Sequence, residues 1–274
     1  MEFARLQAAK TTLTGLAFLG LFGGCSQAPQ QPAHPAEAAG GPTQDYRPAP
    51  ELLGGAPAAG GGLRLEGSAA PGAAVRLASP GGAAQFATAD SHGAWRITIP
   101  PSAAPRFLGL SMSSGGQVVQ AVSYLFVAPD GTVAKLRAGG GTEAPAPSGV
   151  TVAALALDYD NQHAATLSGV AAPQQTVALR VDGVERGQAV ANAKGRFVLQ
   201  LSQPLAVGPH DFDLADIGGG AEARFTVAID NPAPLPNAPF AASRAGAGWR
   251  VDWVTPGGGE QTTLILGPPG GGRA

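Results

Sequence analysis

The segment Gly67-Ser68-Ala69-Ala70-Pro71-Gly72-Ala73-Ala74-Val75-Arg76-Leu77 aligns without a gap on Gly169-Val170-Ala171-Ala172-Pro173-Gln174-Gln175-Thr176-Val177-Ala178-Leu179, at an offset of 169 − 67 = 102 residues. The same offset carries Ala89-Asp90-Ser91-His92-Gly93-Ala94-Trp95 onto Ala191-Asn192-Ala193-Lys194-Gly195-Arg196-Phe197. Two copies of one module are therefore expected. The repeated positions are turn residues and alternating apolar residues, with no nucleophile, base or ligand set among them. What is copied is a scaffold.

Within each copy the apolar residues recur with period two. Trp95-Arg96-Ile97-Thr98-Ile99, Phe197-Val198-Leu199-Gln200-Leu201 and Phe225-Thr226-Val227-Ala228-Ile229 alternate as half-buried strands do. No amphipathic helical pattern follows the N-terminal segment. Turn signals punctuate the strands: Pro71 and Gly72, Asp90 to Gly93, Pro129-Asp130-Gly131, Asp182-Gly183, and Asn192 to Gly195. Asp-Gly between apolar runs suits a type I′ hairpin, whose two central residues need positive φ. Asp90 and Asn192 are expected to bond the backbone of the turn that follows them. Strands at this spacing, in units of about 80 residues, predict an all-β chain of two tandem immunoglobulin-like β-sandwiches.

Gly 41 and Pro 25 of 274 residues would suggest low complexity if spread evenly, but they concentrate between the strand-rich stretches. The expected organisation is a signal peptide over 1–24, a disordered tether over 25–62 and a first sandwich over 63–138. A linker over 139–149, a second sandwich over 150–230, a β-hairpin segment over 231–267 and a disordered tail over 268–274 complete it. Lys+Arg 17 against Asp+Glu 19 leaves a net charge of −2, without the basic stripe that nucleic acid requires.

The N-terminus carries Arg5 and Lys10, then the apolar run Leu13 to Phe22, then Gly23-Gly24-Cys25. That is a secretory signal, too short to span a bilayer. It resembles a bacterial lipoprotein signal, in which the cysteine is lipidated and becomes the new N-terminus. Cys25 is the only cysteine, and acylation accounts for an unpaired thiol in an exported chain. The resemblance implies a membrane partner through a lipid anchor. Ser26 after the cysteine implies the outer rather than the inner membrane of the cell envelope.

The run Gly67-x-Ala69-x-Pro71-Gly72-x-x-Val75, then Ala89-Asp90-x-x-Gly93-x-Trp95, and Leu205-x-x-Gly208-x-His210 in the second copy, resembles bacterial Ig-like repeats of surface adhesins and envelope proteins. The second copy departs from the pattern with Gln174, Asn192 and Phe197. The chain is also similar to the Ig-like module that precedes a LysM peptidoglycan-binding module, although no LysM motif follows here. These likenesses imply spacer or binding modules rather than an enzyme, with an envelope protein or glycan as partner and no cofactor. Glycan or peptidoglycan binding through exposed aromatics is the alternative, and a hydrolase with an unrecognised site the third.

No candidate for chemistry stands out. The four histidines show no metal-ligand spacing, and Ser148 and Ser168 lack a Gly-x-Ser-x-Gly context. Asp158 and Asp160, in Asp-Tyr-Asp-Asn, offer oxygen ligands to Ca2+ or else form a solvated turn. At the C-terminus, 249–254 and 260–266 read as strand, loop and strand, with Phe240 to Ser243 available as a third strand. Trp249, Val251 and Trp253 share one face. That face either docks on the second module or stays exposed as a ligand platform.

Overall fold

The computed structural model describes residues 47–219, 222–235 and 238–267. The signal segment 1–24, Cys25, the tether as far as residue 46 and the tail 268–274 lie outside the described residues. The described residues hold strands and turns without a helix.

The first sandwich packs the sheet β1-β2-β5 against β4-β3-β6-β7-β8, all neighbours antiparallel. Its strands are β1 (Glu51–Pro57), β2 (Leu63–Ser68), β3 (Ala74–Ala78), β4 (Ala84–Thr88), β5 (Ala94–Ile99), β6 (Arg106–Ser114), β7 (Gln117–Val127) and β8 (Val133–Leu136). The second packs β13-β10-β9 against β12-β11-β14-β15. Its strands are β9 (Ala153–Asp160), β10 (Ala165–Val170), β11 (Thr176–Val181), β12 (Val184–Val190), β13 (Arg196–Gln200), β14 (Gly208–Asp216) and β15 (Glu222–Ile229). The sequence offset maps β1 to β7 onto β9 to β15 in order, and β6 and β14 coincide from end to end. Each sandwich closes over the inward set of its alternating residues. Leu65, Val75, Leu77 and Trp95 lie in the first core, and Leu167, Val177, Leu179 and Phe197 in the second.

One boundary differs from the sequence reading. The tether was expected to run to Gly62, yet Glu51–Pro57 forms β1 and puts Leu52 into the first core. Strand pairing uses the backbone, so a Gly- and Ala-rich segment can supply an edge strand with one buried anchor. That edge is blunted by Pro57 and by Lys135, whose Nζ donates to the Leu52 carbonyl at 3.4 Å and lies 3.6 Å from Glu51.

The turns follow local chemistry. Asp182 and Gly183 both take positive φ, as a type I′ hairpin demands. At Pro129-Asp130-Gly131 only Gly131 does, because proline fixes its own φ near −65°. There the Ala128 N–H donates to the Thr132 carbonyl at 2.9 Å, a wider loop with glycine in the left-handed position. Asp90 Oδ1 accepts from the N–H of His92 and Ala94, and Asn192 Oδ1 from those of Lys194 and Arg196. Gly93 and Gly195 close these turns with positive φ.

The C-terminal segment forms β16 (Phe240–Ala245), β17 (Gly248–Val254) and β18 (Glu260–Ile265). Through β18 it adds antiparallel to the free edge of β9, giving the six-stranded sheet β13-β10-β9-β18-β17-β16. Among the described residues, the first module's counterpart edge, β1, takes no added strand.

Gln174 occupies the left-handed position held by Gly72 in the first copy, at φ 64° against 71°. A non-glycine residue there is strained by its own Cβ, and space around Gly72 shows that crowding by neighbours is not the cause. Gln174→Gly should stabilise the second module by roughly 0.5–1 kcal/mol, read as a rise in the urea midpoint at unchanged slope.

Candidate functional site

The outer face of the first module's larger sheet carries Phe107, Tyr124 and Phe126, which would be exposed on an isolated sandwich. The β16–β18 sheet covers them. Phe107 stacks on Tyr124 and Phe240 at 4.9 and 5.3 Å between centroids. Trp253 meets Phe107 and Tyr124 at 5.6 and 5.8 Å, and Trp249 meets Phe126 edge-on at 5.7 Å. Together with Ala153 and Leu155 from β9, these residues make a third core between the modules. Such ring arrangements add to the area buried.

Trp249 and Trp253 are 7% and 0% exposed, so neither offers a ring to a ligand, and the exposed platform is corrected. Trp253 Nε1 donates to Thr263 at 3.1 Å, and Trp249 Nε1 to Asp130 at 3.2 Å. Arg244 lies 4.3 Å over the Trp249 ring and pairs with Asp130 at 2.9 Å. The hairpin thus joins the second module by its edge and gives its tryptophan face to the first.

Residues 139–149 run between the modules, and their first half is a strap laid on the second module. Gly139, Gly140 and Gly141 all take positive φ, and a Cβ on Gly140 would stand 2.7 Å from Thr166. Thr142 is the anchor. Its N–H and Oγ1 donate to Asp158 at 2.9 and 2.8 Å, and its carbonyl accepts from Ser168 Oγ at 2.6 Å. Asp158 Oδ1 also accepts from Thr263 at 2.7 Å and Gln261 at 3.2 Å. Gln261 then reaches the Arg137 carbonyl and the Gly139 N–H, each at 2.9 Å.

A bulge places this carboxylate. Ser168 pairs with Ala156 and Gly169 with Ala154, leaving Leu155 unpaired in β9. Beyond the bulge Leu157 and Tyr159 enter the second core, and Asp158 turns toward the strap. Asp158 is 2% exposed and its donors are neutral. Burial pushes its carboxyl above the ordinary value, while the donated hydrogen bonds pull it down.

The solvated-turn reading describes Asp160 but not the buried Asp158, and the Ca2+ alternative finds no support in this geometry. Asp158 is consumed by the strap, and Asp160 Oδ1 accepts from the N–H of Gln162 and Ala164 within its own turn. Among the described residues no group of three or more His, Cys, Asp or Glu side chains could hold a metal ion. His210 sits between acceptors, Nδ1 at 2.6 Å from Asp182 and Nε2 at 2.8 Å from the Ala206 carbonyl. Burial lowers its pKa, but these two partners outweigh it and the net shift is upward. For Asp182 the bond from His210 leads a net lowering.

No protein-family model matches the sequence, and no curated protein matches it. Among solved structures, a chain described as "Biofilm associated protein - BSP domain" is similar at 14% identity with a TM-score of 0.23. The likeness covers 62% of this chain and 28% of that one, and carries no conclusion about function.

Asp158→Ala strands four donors in the junction and should cost about 3–5 kcal/mol, with Asp158→Asn milder. Because the folded carboxyl titrates above its unfolded value, its contribution is fully present below about pH 3.9 and is lost as pH rises through the folded value. Urea unfolding across pH 3.5–8 should show this decline in the wild type and lose it in Asp158→Asn. The His210 contribution is likewise full below about pH 6.5 and lost as pH rises through its raised folded pKa. His210→Gln should flatten that second step in the same titration.

Proposed function

We propose that the chain is a non-enzymatic, exported envelope protein, held to a membrane by a lipid on Cys25, whose paired modules act as a rigid spacer and binding platform. The observation that carries this reading is the continuous third core at the module junction. A flexible tandem would leave Phe107, Tyr124, Phe126 and Trp253 in water, whereas here they pack on one another. The strap adds a buried polar seam to the same junction, and large apolar interfaces of this kind suppress relative domain motion.

Export and anchoring rest on the signal segment and on the lone Cys25 that ends it. Two or more acyl chains on that cysteine would hold the protein stably, at about 0.8 kcal/mol per buried CH2. The outer membrane is the favoured destination. The glycan-binding alternative has lost the aromatic surface it relied on, since both tryptophans are interior.

The test has two readouts. Intact mass and detergent partitioning of the protein from its host should show cleavage before Cys25 with added acyl mass, and Cys25→Ala should abolish both; a soluble, unmodified product would remove the anchor. Backbone 15N relaxation should give one rotational correlation time for residues 63–136 and 153–265, and two independent times would remove the rigid spacer.

A further inference from the structure

β4 is the edge strand of the first module's five-stranded sheet, and β12 holds the same place in the second module. The two edges are finished differently. On β12 a bulge leaves Arg186 unpaired with β11, and the Arg186 carbonyl accepts from the Ser202 N–H at 2.8 Å. The Arg186 guanidinium and the Glu185 carboxylate belong to the same strand, bonded to Gln203 at 2.6 Å and Gln188 at 2.9 Å. Charges and a bulge keep an edge from pairing with another chain. Moved back by the repeat offset, Glu185, Arg186, Gln188 and Ser202 become Ala83, Ala84, Phe86 and Pro100. Each of these protections is gone. β4 reads Ala-Gln-Phe-Ala-Thr and pairs with β3 over five residues without a shift, and the donor's place is taken by Pro100, which has no N–H.

The backbone of β4 fixes which groups look outward. At one end of the β3–β4 pair the Ser79 N–H donates to the Ala83 carbonyl at 2.9 Å, and at the other the Ala89 N–H donates to the Ala73 carbonyl at 2.9 Å. Antiparallel pairing alternates bonded and non-bonded positions, so Ala83, Gln85, Ala87 and Ala89 bond toward β3. Ala84, Phe86 and Thr88 turn their N–H and C=O groups to the outside of the sheet. Among the described residues these outward groups have no backbone partner. Phe86 is 69% exposed and sits opposite Arg76 of β3.

We propose that two copies of the chain associate through β4, antiparallel about a two-fold axis at Phe86. The occupant follows from the symmetry of the edge itself. With the axis there, Phe86 exchanges both of its backbone bonds with its twin, and Ala84 exchanges both with Thr88 of the other copy, so every outward group is met. A charged strand would set like charges against each other in such a pair, and β4 carries no charge. Arg76, next to Phe86 on β3, stands three strand spacings from its twin, roughly 14 Å, beyond the screening length of about 8 Å at physiological salt. The two Phe86 rings form a cross-strand pair at the centre and cover apolar surface now in water. An isologous contact of this kind closes at two copies. The inference goes beyond the spacer reading and stands independently of the lipid anchor.

The experiment uses the unlipidated chain from residue 26 onward, which keeps every described residue. Sedimentation equilibrium between about 10 μM and 1 mM should show monomer and dimer with a Kd of about 0.1 mM, as suits a small contact. Amide hydrogen exchange should slow with concentration at Ala84, Phe86 and Thr88 and stay unchanged at Gln85 and Ala87, whose N–H groups already bond β3. Phe86→Pro removes one outward N–H and no bond to β3, so the variant should stay folded and associate about tenfold or more weakly. Phe86→Lys should act alike, since it sets two cations opposite each other while its side chain points to water. The proposal is overturned by a monomer across the whole range, by a dimer that survives in both folded variants, or by a dimer whose concentration-dependent protection lies elsewhere than on β4.

Discussion

The carboxylate of Asp158 is the constraint on which the arrangement of the modules depends. It takes donors from two separate stretches of chain, the strap through Thr142 and the hairpin through Gln261 and Thr263, while the Ser168 hydroxyl of its own sheet holds the Thr142 carbonyl. A buried carboxyl without a cation partner is expensive, and here it is tolerable because its donors are already aimed. Neither the strap nor the hairpin can leave without stranding these buried polar groups. The aromatic core around Trp253 supplies the bulk of the apolar contact, and the carboxylate fixes which segments make it.

The two copies show how one scaffold serves different ends. Core positions and turn chemistry are kept: Trp95 and Phe197 fill the same place, and Asp90 and Asn192 bond their turns identically. The outer faces have diverged. On the second module that face carries Ser168, Thr166 and Val198 beneath the strap, with the buried Asp158 and Arg196 bonded to strap residues. On the first it carries Arg64, Glu66 and Arg96 in an ion-paired row at 2.8 to 3.0 Å. Exposed pairs of this kind contribute little stability, so the row suits a surface facing water or a partner.

Strand positions and most turns could be read from the sequence, because period-two alternation and the Asp-Gly and Asn-to-Gly signals are local. The hairpin was legible for the same reason. β1 was not, since a single leucine among Gly, Ala and Pro gives no alternation to detect. The strap reads in sequence as a plain linker because its order comes from Thr142 contacts with Asp158, sixteen positions along the chain. The Asp158 environment was hidden by the bulge at Leu155, which reverses the strand's facing halfway along. Phe107, Tyr124 and Phe126 gave no hint of a junction, for an outward aromatic looks the same in sequence as an inward one.

The strand that completes the junction is the last of the eighteen among the described residues, and its bond from Thr263 to Asp158 spans 105 positions. Each sandwich has its own core and local pairings, so both can form as the chain emerges N-terminus first. The joint between them cannot. Until Gln261 and Thr263 arrive, Asp158 keeps only its strap partners and the aromatic face of the first module stays bare. Assembly of the junction therefore waits for β18, which joins two sandwiches that can fold separately.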